Sequence, residues 1–201
     1  KLQKRNKERV NIYIDETYAF AVTVAVAAGL RTGQFLSDAE IEQLKSQDEP
    51  DKAYHRAIYF LGFRARSRAE ITKYLRDKNY ASPVISDTID RLVREGYLDD
   101  EAFARTWVQD RERLKPRSRR ALRYELRQKG VSNEVIERVV DEVDEEEMAW
   151  QAVEGKLRQW RHLDEEAFTQ KALGFLSRRG FGYYVAKEAV ERAWKVVDGT
   201  V

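Results

Sequence analysis

Polar and apolar residues alternate with period two from Arg9 through Ile14, and again from Thr17 through Val22, with only Asp15 and Glu16 between them. Such alternation puts every second side chain on one face of a strand, and two runs joined by two residues predict a β-hairpin. A tight hairpin turn asks for positive φ, to which Glu is poorly suited, so the pattern leaves the turn type open. Ser37-Asp38-Ala39-Glu40 places a carboxylate three residues after a hydroxyl cap. This capping box predicts a short helix through Leu44. Gln47 to Asp51 is polar and carries Pro50, which reads as a linker.

After Asp51 the spacing becomes helical and repeats. Arg66-Ser67-Arg68-Ala69-Glu70-Ile71 opens a helix with the capping box Ser67/Glu70; it ends at Asn79-Tyr80, and a second helix starts at Ser82-Pro83. A shift of 51 residues finds Arg117-Ser118-Arg119-Arg120-Ala121-Leu122, then Gly130-Val131, then a helix capped by Ser132. A further shift of 50 finds Ala172 to Leu176, then Gly180-Phe181, then a helix from Gly182. Ile71 matches Leu122; Leu75 matches Leu126 and Leu176; Tyr80 matches Val131 and Phe181. Ile85, Ile89 and Leu92 match Ile136, Val140 and Val143, one apolar helix face each time. Asn79, Gly130 and Gly180 share the slot just past a helix end, where positive φ is usual. Leading helices are predicted over Asp51–Phe63, Asp99–Leu114 and Glu145–Arg161. The fold class is therefore mainly α: three tandem, helix-turn-helix-like three-helix units at 51–98, 99–144 and 145–201, behind an extension at 1–50 holding the hairpin and a short helix.

Composition changes the picture little. With 36% charged and 42% hydrophobic residues the chain reads as water-soluble, and only ten Gly and three Pro argue against a turn-rich sandwich or barrel. No cysteine is present, so thiolate chemistry and disulfides are excluded, which fits a reducing, cytoplasmic setting. No apolar run approaches the roughly 18 residues of a spanning helix, so no membrane role is expected. Because the chain starts at Lys1 and not at Met, whatever precedes it is left open. Catalytic signals are sparse. His55 and His162 lie in different units, no glycine-rich loop precedes Lys-Ser or Lys-Thr, and Asp144 to Glu147 reads as an acidic helix start, not a metal site. No enzymatic activity, cofactor or metal is expected.

The charge distribution is more informative than the net +2. Residues 105–129 hold ten Lys/Arg against three acids, and residues 133–147 hold eight acids against one Arg. Either an extended charged partner exploits this segregation, or helices of opposite charge lie side by side and neutralise each other. Arg119, Arg123 and Arg127 are spaced by four and form one stripe, widened by Arg120 and flanked by Arg117 and Lys129. Arg68 and Arg76 repeat two of its positions in the first unit; Thr169, Leu173 and Ser177 interrupt it in the third, where Arg178, Arg179 and Lys187 carry charge elsewhere. These eleven residues are the candidate contacts for phosphates or an acidic protein surface. Phe103, Trp107, Trp150, Trp160 and Trp194 are expected to pack in the core.

Three stretches resemble the RecX family of bacterial recombination regulators: Arg66 to Ile71, Gly96-Tyr97-Leu98-Asp99-Asp100-Glu101-Ala102-Phe103-Ala104, and Arg117 to Leu122 with Glu125 to Val131. The resemblance runs from about Ala53 to Lys195, more weakly in the third unit, and the hairpin and the Leu36 to Leu44 stretch resemble the extension of longer members. Members more often have Gly in the hairpin turn, and Glu16 departs from that. The resemblance implies tandem modules in a curved, elongated rod. It implies a monomer that binds the groove of the RecA filament on single-stranded DNA, limiting filament growth, ATP hydrolysis and strand exchange in homologous recombination, DNA repair and the SOS response. Some members also contact DNA directly. It brings no catalytic residues. The rival reading is a stand-alone DNA-binding protein. The acidic or mixed third helices, Pro83 to Glu95 and Asn133 to Val143, argue against it, since a major-groove helix should not be acidic.

Overall fold

The computed structural model describes residues 1–4 and 7–199. Strands β1 (Arg9–Ile14) and β2 (Thr17–Thr23) pair antiparallel. Asp15 and Glu16 both adopt positive φ, 47° and 63°, so the turn takes the doubly left-handed form despite its acidic residues. A one-residue shift in register follows Ile12, which pairs with Phe20, while Tyr13 pairs with Tyr18. A short helix α1 (Val24–Ala27) is capped by Thr23.

Helix α2 (Asp38–Leu61) corrects the linker reading: it starts at the predicted capping box but runs 24 residues, straight through Pro50. A proline inside a helix loses one hydrogen bond and crowds the preceding turn, at about 3 kcal/mol. The helix is held on both sides of it. Before Pro50, the fully buried Asp48 accepts from Thr23 N–H (2.6 Å) and Arg9 (2.7 Å), tying the hairpin to α2, and Lys52 lies 3.0 Å away. After it, Ala53, Tyr54 and Ala57 are buried with Ile71, Leu75, Ile85, Ile89, Leu92 and Leu98. Burial pushes the Asp48 carboxyl up, but hydrogen bonds from Arg9, Lys52 and Thr23 outweigh it and hold it below the usual carboxylate range.

The remaining helices are α3 (Arg68–Arg76), α4 (Ser82–Arg94), α5 (Asp100–Leu114), α6 (Arg119–Gln128), α7 (Asn133–Val140), α8 (Glu145–Trp160), α9 (Glu165–Arg178) and α10 (Tyr183–Asp198). They form three helix triplets, with the second half of α2 leading the first. The cap of α4 is Ala81, not Ser82, and no side chain satisfies it; Pro83 lies within its first turn. The described chain divides into two compact bodies, Lys1–Ala65 with Ile71–Leu98, and Arg66–Glu70 with Asp99–Val201. The larger core, in the second body, gathers Leu122, Leu126, Ile136, Val140, Val153, Phe168 and Leu176 with the buried Phe103, Trp150 and Trp160; Trp107 and Trp194 are only partly buried.

The middle helix of each triplet ends identically. The N–H groups of Asn79, Gly130 and Gly180 donate to the carbonyls of Arg76, Arg127 and Ser177, each at 2.9 Å; those of Tyr80, Val131 and Phe181 donate to Leu75, Leu126 and Leu176. All three turn residues have positive φ. Within the second body, two of these turns also meet the start of another middle helix. Lys129 O accepts from the buried Ser67 hydroxyl, and Arg179 O accepts from Ser118 N–H. A Cβ at Gly130 would sit 2.3 Å from Ala69 Cβ, and one at Gly180 would sit 2.5 Å from Ser118 Oγ. Asn79, which carries a Cβ, is exposed.

Candidate functional site

The four-residue spacing does gather Arg119, Arg123 and Arg127 on one face of α6, and that face meets α7 and the turn after it. Arg119 Nε donates to Val143 O (2.8 Å), while its backbone N–H donates to Glu145 (2.9 Å). Arg123 pairs with Glu137 (2.6 Å) and Asp141 (2.7 Å). Arg127 donates to Asn133 Oδ1 (3.0 Å) and lies 3.6 Å from Glu137. The segregated charges thus meet inside one triplet, as in the side-by-side alternative. Both ends of α7 are held, and its Glu137 and the following Asp141 are matched by cations from the preceding helix. A second network crosses the same triplet: Arg105 bridges Glu101 and Glu142, and Arg138 reaches Glu101 and Glu134.

Three further candidates serve at helix junctions. Lys129 pairs with Glu70 (3.0 Å) and lies over the Trp107 ring. Arg179 donates to Pro116 O (2.9 Å) and lies 4.4 Å from the Phe175 ring centre. Burial, and then the neighbouring charge of Arg117, lower the Arg179 pKa. Arg117 reaches Arg178 O, and its buried Nε has no hydrogen-bond partner, Glu125 being 3.7 Å away.

The other candidates face solvent. Arg120 is exposed on α6, and Arg76 and Arg178 are exposed in the last turns of α3 and α9. Lys187 lies 3.6 Å from Glu191, about half exposed. Arg68 is exposed, and its backbone N–H donates to Asp100 (2.8 Å). In the third triplet, Leu173 occupies the slot of Arg123 and packs with Trp194 against the core.

A different surface escapes any search by charge alone. On α2, Arg56, Tyr59 and Phe63 share an exposed face, and the partly buried Phe60 sits at its edge, packed against the core that holds Ala53 and Ala57. Tyr59 and Phe63 are 69% and 65% exposed and meet edge to face with ring centres 5.0 Å apart. Phe60 stacks on Tyr74 of α3 at 3.8 Å, with planes 15° apart. Lys78 lies 5.8 Å from the Tyr74 ring centre and Arg56 lies 5.9 Å from that of Tyr80. The signal in the sequence was the i, i+4 pair Tyr59/Phe63 on the side of α2 away from its small buried residues.

Among the described residues no group of three or more His, Asp or Glu side chains is placed to hold a metal ion, and no helix is long and apolar enough to cross a membrane. His55 and His162 are both exposed.

Comparison with known proteins covers nearly the whole chain. Four family models match in order: the RecX regulatory protein N-terminal domain at 1–37, then the first, second and third RecX three-helix domains at 53–92, 99–140 and 144–190. The regulatory protein RecX of Bacillus subtilis is 33% identical over 195 residues, covering 94% of this chain and 74% of its own. That of Listeria monocytogenes is 32% identical over 202 residues, covering 98% and 75%. A crystal structure of a regulatory protein RecX superposes with a TM-score of 0.71 at 26% identity, covering 94% of this chain and 96% of the other. The RecX structure from Lactobacillus salivarius, at 19% identity and a TM-score of 0.64, covers 73% and 97% and shares the fold.

Proposed function

The chain belongs to the RecX family of regulatory proteins, and from that premise we propose that it regulates RecA by binding the RecA filament on single-stranded DNA. In this reading it is a cytoplasmic monomer that limits filament growth and so lowers ATP hydrolysis and strand exchange. It performs no chemistry of its own. The observation that carries the proposal is the match to RecX relatives across 94% or more of the chain. Its role in recombination and DNA repair, and in the SOS response, follows from RecA.

The side chains divide the labour. Arg76, Arg120 and Arg178, exposed at helix ends and on α6, are the cations assigned to the acidic or phosphate-bearing surface of the filament, together with the exposed Arg68 and Lys187. Arg119, Arg123 and Arg127 act one step back, holding α7 in place. Arg117, Lys129 and Arg179 fix helix junctions.

The test is co-sedimentation with RecA, single-stranded DNA and a non-hydrolysed nucleotide, beside DNA alone. Association that is stronger with RecA than with DNA alone, and is weakened by Arg76→Ala/Arg120→Ala/Arg178→Ala without loss of melting temperature, is the expected result. Equal binding to DNA with and without RecA would favour the stand-alone DNA-binding reading. The acidic Glu134 and Glu137 on α7, with Asp141 at its C-terminal cap, speak against insertion of that helix in a major groove.

A further inference from the structure

The first and second triplets use one slot in two ways. A shift of 51 residues superimposes Arg56, Phe60, Tyr74 and Lys78 on Trp107, Arg111, Glu125 and Lys129. In the second triplet every cation of that slot has a carboxylate. Arg111 pairs with Glu125 (2.6 Å), which also accepts from the Trp107 indole N–H (2.9 Å), and Lys129 pairs with Glu70 (3.0 Å). Both cations lie over the Trp107 ring, Arg111 4.5 Å and Lys129 5.0 Å from its centre. In the first triplet the carboxylate has become Tyr74 and the arginine Phe60, which stack on each other. Arg56 and Lys78 remain, with aromatic neighbours but no carboxylate partner among the described residues. Beside them Tyr59 and Phe63 stand out from α2.

From this we infer that the α2–α3 face around Tyr59, Phe63, Arg56 and Lys78 is a binding site for single-stranded nucleic acid. Flat aromatic rings offer stacking surfaces to unpaired bases, and cations without counter-ions at their edges attract the phosphates between those bases. A duplex, whose bases are already stacked, has no face to offer the pair, so single strands should be preferred. Stacking is indifferent to base identity, so little sequence preference is expected. An acidic protein segment would satisfy the cations but leave the exposed ring pair without a role. The inference requires no RecA and goes beyond the proposed regulation.

The test uses the full chain and a fluorescein-labelled oligothymidylate, with binding read by anisotropy at low salt. The wild type is expected to bind this strand more tightly than a duplex, and more tightly than an abasic strand of equal length. Tyr59→Ala/Phe63→Ala should weaken binding about fivefold or more at unchanged melting temperature, since both side chains are exposed. Tyr59→Trp/Phe63→Trp should retain it. Arg56→Gln/Lys78→Gln should reduce the salt dependence by about one to two units of slope. Equal binding of the abasic strand, or unchanged binding by the alanine pair, would overturn the inference, as would no binding by the wild type. So would an alanine pair that keeps its affinity for the strand but no longer sediments with RecA filaments, because the face would then be a protein dock.

Discussion

Two helix pairs of nearly the same design are held together by different forces. Between α6 and α7 the contact is made by Arg119, Arg123 and Arg127, reaching carbonyls and half-exposed carboxylates. Between α9 and α10 the same three positions are Thr169, Leu173 and Ser177, and the contact rests on Leu173, Trp194 and the fully buried Phe168. Apolar burial needs no counterpart of matching charge and is not screened by salt; ion pairs at a surface stabilise little but specify which helix lies where. The conserved outcome is the helix geometry, and the attractive force behind it is interchangeable.

The largest effect should come from the apolar side of that comparison. Phe168 is fully buried, with the Trp160 and Trp194 ring centres 6.2 and 5.4 Å away, so Phe168→Ala should cost about 3–5 kcal/mol. Urea denaturation would read this directly, and a loss under about 1 kcal/mol would contradict a core anchored there.

Next comes a charge that is buried, unlike those on α7. Asp48→Asn leaves Arg9 without its carboxylate and should cost roughly 3 kcal/mol. The folded carboxyl lies below its ordinary pKa, so its contribution is complete above the ordinary carboxylate range and is lost as pH falls through the folded value. Acid titration of the melting temperature should therefore fall more steeply in the wild type than in Asp48→Asn.

Gly180→Ala places a Cβ at positive φ against Ser118 and should cost about 1–3 kcal/mol. Asn79→Gly, at an exposed turn of the same shape, should change stability by less than about 1 kcal/mol. A cost for Gly180→Ala of no more than about 1 kcal/mol, the penalty of a Cβ at positive φ by itself, would mean that φ alone, and not the close approach, selects glycine at 180.

The smallest expected effect is the most direct exchange. Arg123→Leu installs the third triplet's residue in the second and leaves Glu137 and Asp141 in contact with water. Thermal melting should shift by the equivalent of no more than about 1 kcal/mol, and the gap from wild type should shrink in molar salt. A loss several times larger would show that the arginine specifies more than the pairing of two helices.

Much of this architecture was legible in the chain. Leu75, Leu126 and Leu176, or Ile85 and Ile136, are buried where the 51- and 50-residue shifts put them, because a helix must place its apolar stripe inside whatever its surroundings. Pro50 was misleading because its local cost is set against tertiary anchors, Asp48 with Arg9 and Thr23, that no local pattern displays. The arginine stripe shows another limit. Spacing tells which residues share a face but not what that face meets, and the partners of Arg123 lie 14 and 18 residues away on another helix. The exposed ring pair of Tyr59 and Phe63 runs against the usual inward packing of aromatic residues on a helix, so its pattern alone does not reveal it.

The turn residues Asn79, Gly130 and Gly180 also act as a grammar for the order of the modules. A module may follow another only if its turn carries no Cβ, since that atom would collide with Ala69 or Ser118 of its predecessor. Asn79 sits at an exposed turn and meets no such neighbour. To be followed, a module needs a small residue such as Ser67 or Ser118 at the start of its middle helix. The third has Phe168 there, turned into its own interior. The same joint could be built on the third module only with a small residue at 168.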